Sequence, residues 1–454
     1  MKRTIKLALA ATMALSATSA FATNGDNLIG LGAKSRAMGG TGIAHFNDGE
    51  SATANPALIA KTKGTHFTFG GTYFRPDVEV KKTGAVAGAG ALPVSDSYQS
   101  DAKHNIIPYV ALTENLGDGF AIGASMFGSA GMGTDWRNEE INYMNGVIPG
   151  TAPDMGLYSM RSNLLLLKFS IPMAYGGDNW SVGIAPVLMY GSLDIAFQTP
   201  LRDNTGAMVM VGGAPYSQDI GSGSSSSFGL GLELGAQYTL PDAGLTFGAT
   251  YHSSIEMEYK NQISGAASAF GYGANVMGTG FGAFKDKLEQ PAEYGLGVDW
   301  SQGDISVTAD WKNIRWGNAR GYEDFGWNNQ NVYALGAEYR MDDLALRMGY
   351  NYGKNPIEAD NFSTRSVTGM PLAMGGNSHG DTMNALNHVL FPAITERHYT
   401  IGAGYQFTKN VGADIALTYA TSPEVTVSAQ TVGLGLLTTT NDQFAGSVNL
   451  NYSF

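Results

Sequence analysis

The chain has 454 residues, among them 61 glycines, 22 tyrosines and 20 phenylalanines, with 15% charged residues, a net charge of −12 and no cysteine. The acidic balance excludes nucleic-acid binding, which needs a basic face. Lack of cysteine excludes disulfides, thiolate nucleophiles and zinc–thiolate sites. Beyond the first residues there is no uncharged apolar run of about 18 residues, so no transmembrane helix is expected.

The N-terminus reads as an export leader. Lys2, Arg3 and Lys6 make a basic start, Leu7 to Ala20 is a short apolar stretch, and Ala20-Phe21-Ala22 is a small-x-small cleavage site. Residues 1–22 are therefore expected to be a signal peptide. Residues 23–63 are rich in small residues and poor in strand formers. Their apolar groups (Leu28, Ile29, Leu31, Met38, Ile43, Phe46, Leu58, Ile59) would be left in water by a free tail, so the segment is expected to be buried as a plug.

From residue 64 to 454 the pattern is alternation. At the C-terminus Phe444, Gly446, Val448, Leu450, Tyr452 and Phe454 share one face, and Gln443, Ala445, Ser447, Asn449, Asn451 and Ser453 share the other. That is a half-apolar strand of membrane-spanning length. Fourteen such strands are expected, beginning near residues 64, 104, 119, 161, 179, 227, 244, 291, 304, 331, 343, 397, 411 and 442. Short turns follow the even strands. Long loops follow the odd ones, at roughly 76–103, 129–160, 197–226, 259–290, 316–330, 354–396 and 425–441. Short turns at one end and long loops at the other are the pattern of an outer-membrane barrel. The expected fold is all-β: a 14-stranded antiparallel transmembrane β-barrel with an N-terminal hatch in its lumen, in the bacterial outer membrane. Outer-membrane lipid and lipopolysaccharide would then be its surroundings.

Catalytic chemistry is not indicated. The seven histidines form no H-E-x-x-H or other close metal pair, and no serine lies in a G-x-S-x-G elbow. Neither metal nor cofactor is called for, and the chain is not expected to be an enzyme. Two long loops are greasy. Leu201, Met208 and Met210 in the third, and Phe270, Val276, Met277, Phe281 and Phe284 in the fourth, suit a groove for a hydrophobic ligand or a packed mouth. Strand 3 is glycine-dense from Gly119 to Gly131. Gly123, Ser125 and Gly128 are candidates for a kink, the competing reading being room for the hatch. Lys312 and Arg347 share parity with lumen-facing positions. They are candidate partners for a ligand carboxylate, or else form lumen ion pairs with Asp310 or Glu338.

The stretch Gly32-Ala33-Lys34-Ser35-Arg36-Ala37-Met38-Gly39-Gly40-Thr41-Gly42, followed by Asp48 and by Ala54-Asn55-Pro56-Ala57, resembles the hatch motif of the FadL/TodX family of outer-membrane transporters. Its motif positions here are Ala37, Met38, Gly39, Gly40, Asp48, Asn55, Pro56 and Ala57. The final Phe454 resembles the terminal aromatic read by the barrel-assembly machinery. The resemblance implies a route: capture of a hydrophobic molecule between loops 3 and 4, a site inside the barrel beside the hatch, and sideways exit at a kink in strand 3. It implies passive uptake of long-chain fatty acids, or alternatively of hydrocarbons, aromatics or detergent-like amphiphiles, with Asn55-Pro56 as a rigid pivot. A general porin would need an open lumen, and a surface adhesin or phage receptor would use only the loops.

Overall fold

The alternating segments build a single closed antiparallel sheet in the computed structural model, which describes residues 23–84, 94–138, 156–200, 209–211, 214–273, 281–360, 365–374 and 376–454. The barrel strands are β1 (Thr65–Gly84), β2 (Asn105–Gly117), β3 (Phe120–Asp135), β4 (Arg161–Ser170, resumed at Met173–Gly176), β5 (Trp180–Pro200), β6 (Ser225–Leu240) and β7 (Leu245–His252). They continue as β8 (Glu293–Gln302), β9 (Ile305–Ile314), β10 (Gln330–Met341), β11 (Leu344–Gly353), β12 (Arg397–Gln406), β13 (Val411–Thr421) and β14 (Gly435–Ser453). The first and last strands close the ring from Ser453↔His66 to Leu436↔Thr83, and Thr65 and Phe454 exchange backbone bonds of 2.9 and 3.0 Å beyond them.

Thirteen strands start within two residues of the positions expected from alternation. The exception is β14, which starts at Gly435 rather than near 442. Its first residues, Leu436 to Asn441, pair with β1 above the membrane and have no alternating pattern to betray them. For the same reason the first loop is shorter than expected: β1 runs on to Gly84 and pairs with Val94–Gln99. Along most strands the outward residues are apolar, as at Leu230, Leu234, Met348 and Val448. The inward ones are polar, as at Thr68, Gln237, Thr308, Asn351 and Asn449. That is the division a lipid-facing wall demands.

Residues 23–62 lie inside the ring, with short helical turns at Ala33–Ala37, Ser51–Ala54 and Pro56–Lys61. Their backbone rests directly on lumen-facing glycines. At Gly183, Gly248 and Gly349 there is no room for a Cβ against Pro56, Ile43 and Gly39 respectively. Polar wall residues satisfy the hatch backbone. Asp310 accepts from the Gly42 and Ile43 N–H groups at 2.8 and 3.0 Å, and Thr400 Oγ donates to Ala37 O at 2.9 Å. Asn351 donates to Gly39 O at 3.0 Å. Gly39 and Gly40 adopt φ of 69° and 84°, a left-handed turn that a side chain would strain. Asn55 caps the Pro56 turn by accepting from Ala57 N at 3.0 Å, while its amide donates to Ile43 O at 2.7 Å. Asp48 pairs with Lys34 at 2.5 Å. Gly39, Asn55, Pro56 and Ala57 thus meet the wall, while Asp48 and Gly40 are held within the hatch.

Candidate functional site: a cleft at the mouth, an internal cavity and a break in the wall

β3 is regular towards β2 at Gly123 and Ser125 but irregular towards β4, where Gly123 faces the interruption at Ile171–Pro172 and the register shifts beyond Gly128. Gly123 and Ser125 sit in register with Thr113 and Ala111 of β2. That ladder ends at Tyr109↔Phe127. Beyond it Pro108 has no N–H to offer, and residues 128–134 of β3 have no partner on β2. On the β4 side the register shifts between Gly128 and Ala130. Alternating exposure stops at Met126, and residues 130–134 are all buried, so β3 turns out of the lipid-facing wall and into the lumen. The edge this exposes is covered by the hatch. Asn27 bridges Ala130, and Gly131 N–H donates to Asp26 O at 3.1 Å.

Asp26 ties this patch to the mouth. Its carboxylate accepts from the Tyr322 hydroxyl in the fifth loop, and its other oxygen has no partner among the described residues. Burial pushes its pKa up to about 7, against the lowering effect of the hydrogen bonds. A carboxyl raised above its unfolded value of 3.8 contributes docking stability that is present at low pH and lost as pH rises through about 7. Hydrogen exchange of residues 24–31, corrected for intrinsic rates, is therefore expected to be faster at pH 8 than at pH 6. Asp26→Asn should flatten this dependence, and an unchanged pH profile in the variant would assign it elsewhere.

An internal cavity of about 90 Å³ lies between hatch and wall, lined by Leu28, Leu31, Ile43, Phe127, Met189 and Ile255 together with Lys168, His252, Glu293, Asp310 and Lys312. Lys168 bonds Glu233 at 2.9 Å and stands 5.9 Å from the Phe127 ring, and Lys312 lies 3.4 Å from Glu293. Of the two cations expected from the sequence, Lys312 reaches this cavity. Arg347 does not line it and is held by Glu338 at 2.7 Å and Asp414 at 2.6 Å, the lumen ion pair that was its alternative. Lys168 was not legible beforehand, because its parity is hidden in the run Leu164-Leu165-Leu166-Leu167.

The described residues form a cleft at the mouth between the fourth, fifth and sixth loops, and parts of the third and fourth loops lie outside them. A cleft of about 640 Å³ is bounded by Tyr272, Phe281 and Phe284 of the fourth loop, Arg320 of the fifth, and Arg365 and His379 of the sixth. Tyr272 and His379 share a 2.6 Å hydrogen bond, Phe284 stacks on Phe325, and Arg365 lies over Phe281 at 4.2 Å. Phe270 is buried against Phe197 instead. Met210 belongs to a small hairpin, Met210–Val211 with Ala214–Pro215; Leu201, Met208, Val276 and Met277 lie outside the described residues. The sixth loop carries a helix, His379–Ala385, capped by Ser378 and continued to Leu390, that sinks into the mouth. Val389 O accepts from both Thr134 and Trp136 at the end of β3. Apolar side chains run continuously from Tyr272 and Phe325 past Leu288 and Phe391 to Met132 and Ala130, joining the mouth to the break in the wall.

A lipid-faced, closed barrel of fourteen strands with residues 23–62 folded inside defines a bacterial outer-membrane channel protein of the hatch-bearing kind. The chain belongs to the outer membrane protein transport family (OMPP1/FadL/TodX), whose profile matches residues 7–367. It is 24% identical to outer membrane protein P1 of Haemophilus influenzae, with 91% of each chain covered. It is 22% identical to a 47 kDa outer membrane protein of Pasteurella multocida, covering 98% of this chain and 97% of that one. Two solved structures share the fold. A Pseudomonas aeruginosa FadL homologue superposes with a TM-score of 0.64 at 16% identity, over 95% of this chain and 100% of that one. The Pseudomonas putida toluene transporter TodX gives 0.61 at 18%, over 94% and 99%. The protein is accordingly an outer-membrane transporter of hydrophobic compounds.

Proposed function

We propose that the transported molecule is a long-chain fatty acid or a similar amphiphile with one carboxylate. It is caught in the mouth cleft, held with its head in the internal cavity, and released sideways through the break between β2 and β3. The observation that supports this most is the cavity itself, with Lys168 and Lys312 beside a wall of Phe127, Met189 and Ile255, next to the bulge at Gly128. A charged head beside an ammonium and a chain along apolar side chains suit such a cavity. Lateral release returns the chain to an apolar medium without a water-filled pore. The filled lumen does not suit a general porin.

The same charges support a second reading, uptake of neutral hydrocarbons, because both lysines already face a carboxylate. One experiment separates the two. Replacing Lys168 and Glu233 with glutamine, and in the same chain Lys312 and Glu293, removes the charge without stranding a buried ion. Oleate uptake should fall roughly tenfold or more, the equivalent of one charge-assisted hydrogen bond, while toluene uptake is kept. Unchanged oleate uptake would favour the hydrocarbon reading.

A further inference from the structure

Arg36 plays no part in the route above. It sits on the hatch helix Ala33–Ala37 and is only 1% exposed, and neither Nη1 nor Nη2 has a hydrogen-bond partner among the described residues. Its neighbours in the lumen are treated otherwise: Lys34 meets Asp48, Lys168 meets Glu233, and Arg347 meets Glu338 and Asp414. Burial brings the Arg36 guanidinium down to about 10, so it stays charged at neutral pH. Water could satisfy its N–H groups but could not balance its charge in so dry a place.

The wall beside it is similarly unfinished. His398 lies on β12, a strand the hatch helix Ala33–Ala37 packs against, is fully buried, and has no side-chain partner for either ring nitrogen among the described residues. Strand register sets His398 beside Asn351 on one side and Ala420 on the other, with Gln443 next to Ala420. Gln443 also has an unpartnered side-chain oxygen, in an amide whose two ends are interchangeable. The hatch helix reaches this wall through Ala33 and Ala37, which pack on Ala416 of β13. A fixed cation on the hatch helix, with a buried imidazole and an amide on strands that the helix touches, thus has no carboxylate paired with it among the described residues.

We infer that Arg36 and His398 form a buried site for a single negative charge on the β12–β14 side of the hatch, distinct from the Lys168–Lys312 cavity. The ligand is a monovalent anion: a halide from the medium, or the carboxylate of the cargo. The second source rests on the fatty-acid reading, and the first stands without it. Arg36 supplies the charge and His398 a ring N–H. The bound anion balances the hatch charge that the barrel leaves unmatched.

Crystals of the full, delipidated protein soaked in sodium bromide test this. An anomalous peak within hydrogen-bonding distance of the Arg36 guanidinium and His398 is expected, and it should vanish in Arg36→Gln, with heat-modifiability showing that the variant barrel is folded. A second soak adds oleate. Loss of the bromide peak with a carboxylate in its place assigns the site to cargo, and persistence of bromide assigns it to a resident inorganic ion. If wild-type crystals show neither bromide nor a carboxylate there, or if Arg36→Gln keeps the peak, the site does not exist. Failure of oleate alone to enter would count against the carboxylate source and leave the anion site standing.

Discussion

Deletion of residues 23–60 should turn a closed barrel into a conducting one. Fourteen strands about 4.8 Å apart and tilted by about 40° enclose a backbone ring of about 28 Å. In the intact protein the hatch occupies that ring and meets the wall at Ser181, Asp299, Asp310, Asn351, Thr400 and Asn449. Without the hatch those polar groups face an aqueous lumen, which suits them. Single-channel conductance in planar bilayers is expected to rise by roughly tenfold or more, since current follows the free cross-section. The helix at His379–Ala385 still covers part of the mouth, so the deleted barrel should conduct less than an open porin of the same strand number. No change in conductance would mean that the hatch does not seal the barrel.

A disulfide between Asn27→Cys and Ala130→Cys should abolish uptake. The two residues are register partners in an antiparallel bridge, where Cα atoms lie about 4.5–5.5 Å apart, a separation that a disulfide spans. The chain contains no cysteine to compete. Oxidation would pin the hatch over the break in β3, so oleate uptake should fall to the level of cells lacking the protein and return on reduction. Binding at the mouth cleft, formed by other loops, should persist. Normal transport by the oxidised form would send the exit elsewhere, past Asn55-Pro56-Ala57 towards the periplasm.

Much of this architecture was legible because a barrel strand advertises itself: one face meets lipid, the other does not, and the residues alternate. The hatch was legible for a different reason, since apolar residues without strand character must be buried somewhere. What escaped had no periodic signature. The start of β14 alternates in burial, with Leu437, Thr439 and Asn441 buried, but not in apolar and polar residue type. The irregular stretch of β3 was legible as glycine-rich, with Gly128 among its candidates, but its bounds depend on the register against β4 and on where the β2 ladder ends near Pro108, which the neighbouring strands set. Lys168 and Glu233 meet only because of the stagger of three strands, a quantity that a single sequence does not display. The sixth-loop helix did leave a readable trace, with Ser378 three residues before Asp381 and apolar residues at Leu386, Val389 and Leu390. The aromatic residues of the fourth loop told that it packs, but not that the fifth and sixth loops meet it in the mouth cleft, because aromatic content does not say which loop it packs on.

The outer half of β3 has a consequence for the fold as a whole. A run of backbone without a β2 partner is a raw sheet edge, and a bilayer tolerates no such edge, each naked amide or carbonyl costing several kcal/mol in hydrocarbon. This barrel therefore carries a seam that is not welded but tucked inward and basted shut by Asn27 on Ala130 and Asp26 on Gly131. On the proposed route an alkyl chain would part it but could not replace the stitches, having nothing to donate or accept. On that route the opening would close of its own accord behind each molecule, and the size of the seam would limit the width of what passes.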